Sequence, residues 1–279
     1  MEAPNEKTKG LTISVNTYGQ PSPLWSQLTD LPYFRALLRA VEARFYETIQ
    51  LAAPTLDLGC GDGHFASRAF QRPLEVGVDP WRGPLLEAHE RGVYRGLIQA
   101  DGARLPFPEM FFASAVSNSV LEHIPQLDAV LSEIARVLRP GALFVFCVPN
   151  HNFLPMLSVG RALDRLGLRP LGDTYRGFFN RISRHHHCDP PEVWRERLEQ
   201  TGFVIDEWWH YFSPAALRAM EWGHYFGLPA WVSKILFGRW ILVPERWNLA
   251  ITYRLVEQYY NEPPHCEDGV YTFYISHRV

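Results

Sequence analysis

The chain is predicted to be an α/β protein built on a doubly wound, largely parallel sheet. Three features predict it. A glycine-rich turn joins an apolar strand to a helix at Leu56–Phe65, strand and helix patterns alternate up to residue 149, and Val270 to Val279 alternates as a last strand should.

The elements follow in order. Leu31 to Leu51 carries apolar residues at helical spacing (Phe34, Leu37, Leu38, Val41, Phe45, Ile49), and Pro54 stops it. Leu56-Asp57-Leu58-Gly59-Cys60-Gly61-Asp62-Gly63-His64-Phe65 reads as a buried strand, a tight turn and a helix start. This is how α/β proteins turn backbone N–H groups toward a ligand. The glycines run G-x-G-x-G; His64 stands where a dinucleotide fingerprint needs its third glycine, and no phosphate-cradling lysine follows. Such a turn suits a nucleoside with an amino-acid tail better than one with a pyrophosphate. Leu74 to Pro80 is a second strand ending in an acid, and Asp79 lies twenty residues after Gly59, the separation at which a carboxylate meets ribose hydroxyls. Gln99 to Phe107 marks a third junction, and Phe111 to His123 a fourth strand with its turn. Ala129 to Pro140 is an amphipathic helix closed by Arg139-Pro140-Gly141, and Ala142 to Val148 an apolar fifth strand stopped by Pro149.

The glycine turn, the Asp79 strand, the Q-A-D-G-A-R-L-P-F junction and F-F-A-S-A-V-S-N-S-V-L-E-H, in this order and spacing, resemble the class I S-adenosylmethionine-dependent methyltransferases, most of all their bacterial type 11 subgroup. The resemblance implies a Rossmann-like sheet of seven strands, mostly parallel with an antiparallel last strand, and S-adenosylmethionine as cofactor. It implies that Gly59, Cys60, Gly61 and Gly63 form the turn beside the cofactor and that Asp57 holds its amino group, directly or through water. Asp79 would take both ribose hydroxyls, Asp101 with Gly102 and Ala103 the adenine edge, and Ser117 and Asn118 the methionine end. Pro80 or Trp81 would stack on adenine, although Trp81 reads equally well as a helix-packing aromatic and Asn118 as a helix N-cap.

Bulk composition sets limits. With 279 residues, 47% hydrophobic and 20% charged, the chain has a sizeable globular core. A formal net charge of −3 offers no general electrostatic grip on nucleic acid, and no N/D-P-P-Y motif follows the fourth strand, so no nucleic-acid partner is expected. Four scattered cysteines, no apolar N-terminal run and no stretch of about eighteen apolar residues predict a cytoplasmic protein without disulfides.

Residues 1–30 are expected to form an N-terminal arm and 31–279 the catalytic domain, interrupted by inserted segments 150–190 and 213–269 that cap the substrate. The first insertion shows one short helical pattern, Met156 to Leu166; Pro191 to Thr201 is an amphipathic helix capped by Gly202, and Phe203 begins the sixth strand. The second insertion holds Trp222, Trp231, Trp240 and Trp247, and is too long for a structureless loop, so it should contain two or three short helices. Its apolar stretch 225–243 reads as cap packing, a lid over a greasy pocket, a dimer face or a peripheral membrane contact. The oligomeric state is not legible.

Methyl transfer from a sulfonium is an in-line displacement that needs the acceptor held close, water kept out and, for a protonated acceptor, a base. The candidates are His186, His187 and His185 in the run Ser183–Asp189, and His123 in the turn after the fourth strand. A role in ordering loops or lining the cofactor is open for each. Adjacent histidines rarely face one ion, so no metal is expected. Tyr175, Arg176, Phe178, Phe179, Asn180 and Arg181 form an aromatic, cationic stretch, either a grip for an anionic or sugar-like acceptor or a packed surface segment. The expected activity is O-methylation of a small-molecule or glycan acceptor. A lipid or quinone-precursor methyltransferase at a membrane surface, a silent S-adenosylmethionine-binding protein and an NAD oxidoreductase are the alternatives, and His64 counts against the last.

Overall fold

The computed structural model describes residues 22–279. Seven strands form one sheet in the order β3-β2-β1-β4-β5-β7-β6: β1 (Thr55–Leu58), β2 (Leu74–Asp79), β3 (Tyr94–Gln99), β4 (Phe112–Asn118), β5 (Leu138–Pro149), β6 (Phe203–Tyr211) and β7 (Tyr271–Arg278). Strands β1 to β5 pair in parallel, and β7 runs antiparallel to both β5 and β6. This is the predicted sheet. The strand order reverses between β1 and β4, so the ligand crevice of such a sheet opens over their carboxyl ends, at Gly59 and Ser119.

Both faces are covered, which is why β1, β4 and the second half of β5 are buried almost without interruption rather than at alternate residues. On one face α2 (Tyr33–Tyr46) and α9 (Pro214–Phe226) pack through Leu37, Val41, Phe45 and Leu217 against Val145 and Phe273. On the other, α5 (Leu127–Val137) and α8 (Pro191–Gln200) pack through Leu131, Ile134, Trp194 and Leu198 against Phe144 and Phe146. Short helices α3 (His64–Ala69) and α4 (Arg82–Arg91) follow the first two strands.

The expected arm lies mostly outside the described residues; within them, Pro23–Leu28 is a helix, α1, with Leu24 and Leu28 buried. The first insertion holds two helices rather than one: α6 (Ser158–Arg165) and α7 (Arg169–Ser183). Pro170, Gly172 and Gly177 hide α7 from a propensity reading. Gly172 is selected by packing, since a Cβ there would stand 2.6 Å from Asp164 Oδ1 and 3.1 Å from Gly160 O. Strand β5 begins at Leu138, inside the predicted helix, because Leu138 pairs with Phe112 before a register shift that Gly141 accommodates at φ +76°. The second insertion contains α9, α10 (Leu228–Phe237) and α11 (Arg246–Tyr260). Helix α11 buries Leu249, Tyr253, Val256 and Tyr260 at helical spacing, and the Arg44 guanidinium of α2 donates to the Tyr260 and Glu262 carbonyls at 2.9 and 3.2 Å.

Candidate functional site

The turn after β1 is held by two N–H groups, Gly59 and Cys60, which donate to Val78 O at 2.8 and 3.0 Å. Gly59 and Gly61 lie at φ +73° and +54°, where an L side chain is strained. Their surroundings differ. A Cβ on Gly59 would stand 2.3 Å from Val120 Cγ1, whereas one on Gly61 would meet nothing within 4 Å. Gly59 is needed by the fold, while the backbone at Gly61 faces open space. Gly63 serves as the left-handed N-cap of α3.

Two buried carboxylates flank this opening. Asp79 accepts from Gly61 N at 3.0 Å through Oδ2 and from Trp81 N at 2.9 Å through Oδ1, so it holds the turn and the start of α4 together. Asp57 accepts from the Tyr94 hydroxyl at 2.6 Å. Burial, reinforced by the nearby Asp79 charge, pushes its carboxyl up to about 6 despite that hydrogen bond. A buried acid in this condition is completed by a cation, as a tail ammonium would be. Asp101 caps its own turn by accepting from Ala103 N at 2.9 Å, with Gly102 between them, and remains exposed. Trp81 is 71% exposed, so it does not pack as a helix aromatic; the Pro80 carbonyl accepts from Gln99 Nε2. The Ser117 hydroxyl donates to Leu58 O at 3.0 Å and ties β4 to β1. Asn118 caps no helix: its amide donates to Glu42 Oε2 at 2.6 Å and its carbonyl accepts from the Cys147 thiol. An open turn, two buried acids and an uncovered aromatic ring fit a nucleoside with a cationic amino-acid tail.

Next to this end of the sheet lies a cavity of about 280 Å³. Helix α2 lines it with Arg39 and Glu42, the turn after β4 with Ser119, Glu122 and His123, and the loop after α7 with His185. Glu42 is fully buried and accepts from Asn118, from the Ser119 hydroxyl at 3.0 Å and from the Tyr211 hydroxyl at 2.9 Å. Burial raises its carboxyl above the usual range, and the three donors oppose this. Glu122 is 1% exposed; burial pushes it up to about 8, and its Oε2 has no partner among the described residues.

The four candidate histidines divide. His123 donates from Nδ1 to Arg184 O at 3.0 Å, and its ring lies 5.3 Å from that of His185. His185 also packs on Phe153, and burial pulls it down to about 3, so it is neutral. His186 and His187 do not line the cavity. Their N–H groups both donate to Glu122 O, at 2.7 and 3.2 Å, which pins the loop but turns their side chains elsewhere. His187 is engaged by Ile124 O and Arg197, and His186 is exposed. The aromatic, cationic stretch is part of α7: Arg176 pairs with Asp164 and Asp173, and Tyr175 donates to Glu221.

Glu42, Arg39 and Ser119 were not legible as site residues. The available signal was a glutamate set between Val41 and Phe45 on the apolar face of α2, where a charge has no place without buried partners.

Residues 56–146 match the family model described as a methyltransferase domain. A fatty-acid O-methyltransferase of Mycolicibacterium smegmatis is 38% identical over 97 residues, which is 33% of this chain and 35% of that protein. An uncharacterized methyltransferase of Mycobacterium sp. (strain JLS) is 35% identical over 158 residues, 50% of this chain and 60% of that protein. The chain thus spans between about a third and three fifths of the length of these relatives. In fold it is similar to a possible histamine N-methyltransferase from Thermotoga maritima, with a TM-score of 0.52 at 14% identity over 88% of this chain and 90% of that one. The matched segment runs from β1 and its glycine turn into β5, so this part of the chain is similar to a methyltransferase domain.

Proposed function

We propose that this protein transfers a methyl group from S-adenosylmethionine to an oxygen of a small-molecule or glycan acceptor held in the cavity between α2, the β4 turn and the Ser183–Asp189 loop. The observation that carries the reading is an open glycine turn flanked by two buried carboxylates, with a cavity of mixed polar and apolar lining beside it at the point where strand order reverses. The bound cofactor supplies an electrophilic methyl carbon on a sulfonium. Asp57 holds the tail ammonium, Asp79 the ribose hydroxyls, Asp101 the adenine amino group, and Gly61 admits the tail to the backbone. Arg39 lines the cavity and makes no ion pair among the described residues, so it is available to the tail carboxylate. On the acceptor side the polar contacts come from Ser119, Glu122, His123 and His185, while Phe153 and Tyr271 exclude water. Calorimetric titration tests this: S-adenosylhomocysteine should bind and NAD should not. Binding of NAD, or of neither, would reject the reading.

A specific observation favours a lipid acceptor at a membrane surface as a second reading. Phe226, Trp231, Ile235, Leu236 and Phe237 of α9 and α10 are exposed, and so are Trp247 and Ile251 of α11, with Lys234 and Arg239 nearby. No helix among the described residues is long and apolar enough to cross a membrane. An aromatic face edged by cations fits interfacial binding. Flotation with anionic liposomes is expected to carry the protein along, and Trp231→Asp to reduce this. Absence of flotation would assign the acceptor to the water-soluble class.

A further inference from the structure

We propose that Glu122, His123 and His185 bind one divalent cation of the zinc, manganese or cobalt type, which holds an oxygen of the acceptor. The acceptor role rests on the methyltransferase reading; cation binding stands without it.

The three residues come from two places sixty-two positions apart, and the fold brings them to one wall of the cavity. One ligand atom from each lies within 4.8 Å of the others, and Glu122 Oε1 is 3.6 Å from His123 Nε2. Metal bonds of about 2.0–2.2 Å place neighbouring ligand atoms roughly 3–4 Å apart, so a bound ion would draw the set in by about an ångström.

Three further observations point to a ligand. Glu122 Oε2 is buried, lies on a side chain that lines the cavity, and has no hydrogen-bond partner among the described residues. A buried carboxylate oxygen in that state lacks the positive partner that makes its burial tolerable. The second observation is the tautomer. His123 donates its Nδ1–H to Arg184 O, which leaves Nε2 as a lone pair facing Glu122, and a metal-bound imidazole is usually oriented by such a bond to a carbonyl. The third is the anchoring of the loop. The N–H groups of His186 and His187 both bind the Glu122 carbonyl, so the backbone that carries His185 is fastened to the backbone that carries the other two ligands.

The donor set defines the class of ion. Two imidazoles and one carboxylate suit borderline transition metals, whereas magnesium and calcium prefer oxygen ligands throughout. Three protein ligands leave a coordination position open, the pattern of a site that also takes water or substrate. In this cavity the open position would take a hydroxyl, enol or carboxylate oxygen of the acceptor.

The test uses the full-length chain after EDTA treatment. Cobalt is titrated in and followed by its visible ligand-field bands, with zinc as competitor, and S-adenosylhomocysteine binding is measured on the same samples. One cobalt per chain is expected, displaced by zinc. Glu122→Gln and His185→Asn should each weaken cobalt binding by at least roughly tenfold, while His186→Ala, outside the cavity, should not. Failure to bind cobalt, or equal binding by wild type and His185→Asn, overturns the site. If Glu122→Gln does not fold, His185→Asn, in the loop after α7 and only partly buried, decides alone. Loss of S-adenosylhomocysteine binding by the wild type would instead overturn the methyltransferase reading, whatever cobalt does.

Discussion

Replacing Gly61 by alanine separates the ligand cradle from the fold, with Gly59→Ala as its counterpart. At φ +54° an L residue costs about 1–2 kcal/mol. No atom within 4 Å opposes a Cβ at Gly61, so nothing adds to that cost. For a domain of this size the melting temperature should fall by roughly 2–8 °C. At Gly59 the same backbone cost is joined by a Cβ that would stand 2.3 and 2.7 Å from the two Val120 methyls. Overpacking of this kind adds roughly 1–3 kcal/mol, so Gly59→Ala should lose about 2–5 kcal/mol in all. Thermal melts read the stabilities, and calorimetric titration with S-adenosylhomocysteine reads the cradle. Gly61→Ala is expected to stay folded yet bind at least roughly tenfold more weakly, a change of about 1.4 kcal/mol. Wild-type affinity in Gly61→Ala would refute the claim that the ligand lies against this backbone.

Other outcomes follow from the same contacts. Asp79→Ala removes the acceptor for Gly61 N and Trp81 N as well as the proposed ribose partner; titration should detect no S-adenosylhomocysteine binding, and near-normal affinity would contradict the assignment. Glu42→Ala strands donors on Asn118, Ser119 and Tyr211, and urea unfolding should show a loss of about 3 kcal/mol or more; a loss below about 1 kcal/mol would mean that the network contributes little. Glu122, raised by burial and by the Glu42 charge and lowered by Arg39, keeps its proton in the folded state up to about 8, while the unfolded chain releases it near the ordinary carboxylate value. The folded state then holds more protons, so stability falls as pH rises through that window. Below the ordinary histidine value the neutral His185 acts in the opposite sense, and Asp57 titrates at about 6. The Glu122 effect is therefore cleanest from pH 6.5 to 8, where metal-free wild type should lose roughly 1–2 kcal/mol and Glu122→Gln should not. A flat wild-type profile there would contradict a buried, unpaired carboxyl. His186→Ala should leave both stability and S-adenosylhomocysteine affinity unchanged; a loss of either would return it to the site.

Much of the glycine turn and its flanking acids was readable because it is local. Asp57, Gly59, Gly61 and Asp79 lie at strand ends whose positions follow from apolar runs and turn residues, and the sheet places them together as expected. The cavity was less legible. Four histidines were candidates, and only His123 and His185 line the cavity. Their neighbours differ from them by one or two positions in sequence, and the direction of a loop side chain depends on which N–H reaches which carbonyl. Helix α7 was missed because Gly172 answers to its close approach to α6 and not to helix propensity.

By itself the sequence determined the alternation of strands and helices, the glycine turn and the spacing of its acids, since each depends on residues close together along the chain. The tertiary structure alone decided that Glu42 of α2 meets Asn118 and Tyr211, and that His185 closes over Glu122 and His123. Those meetings join segments as far apart as 169 residues. They depend on the path of the whole chain and on the loss of water around buried charges, neither of which is written in any short run of residues.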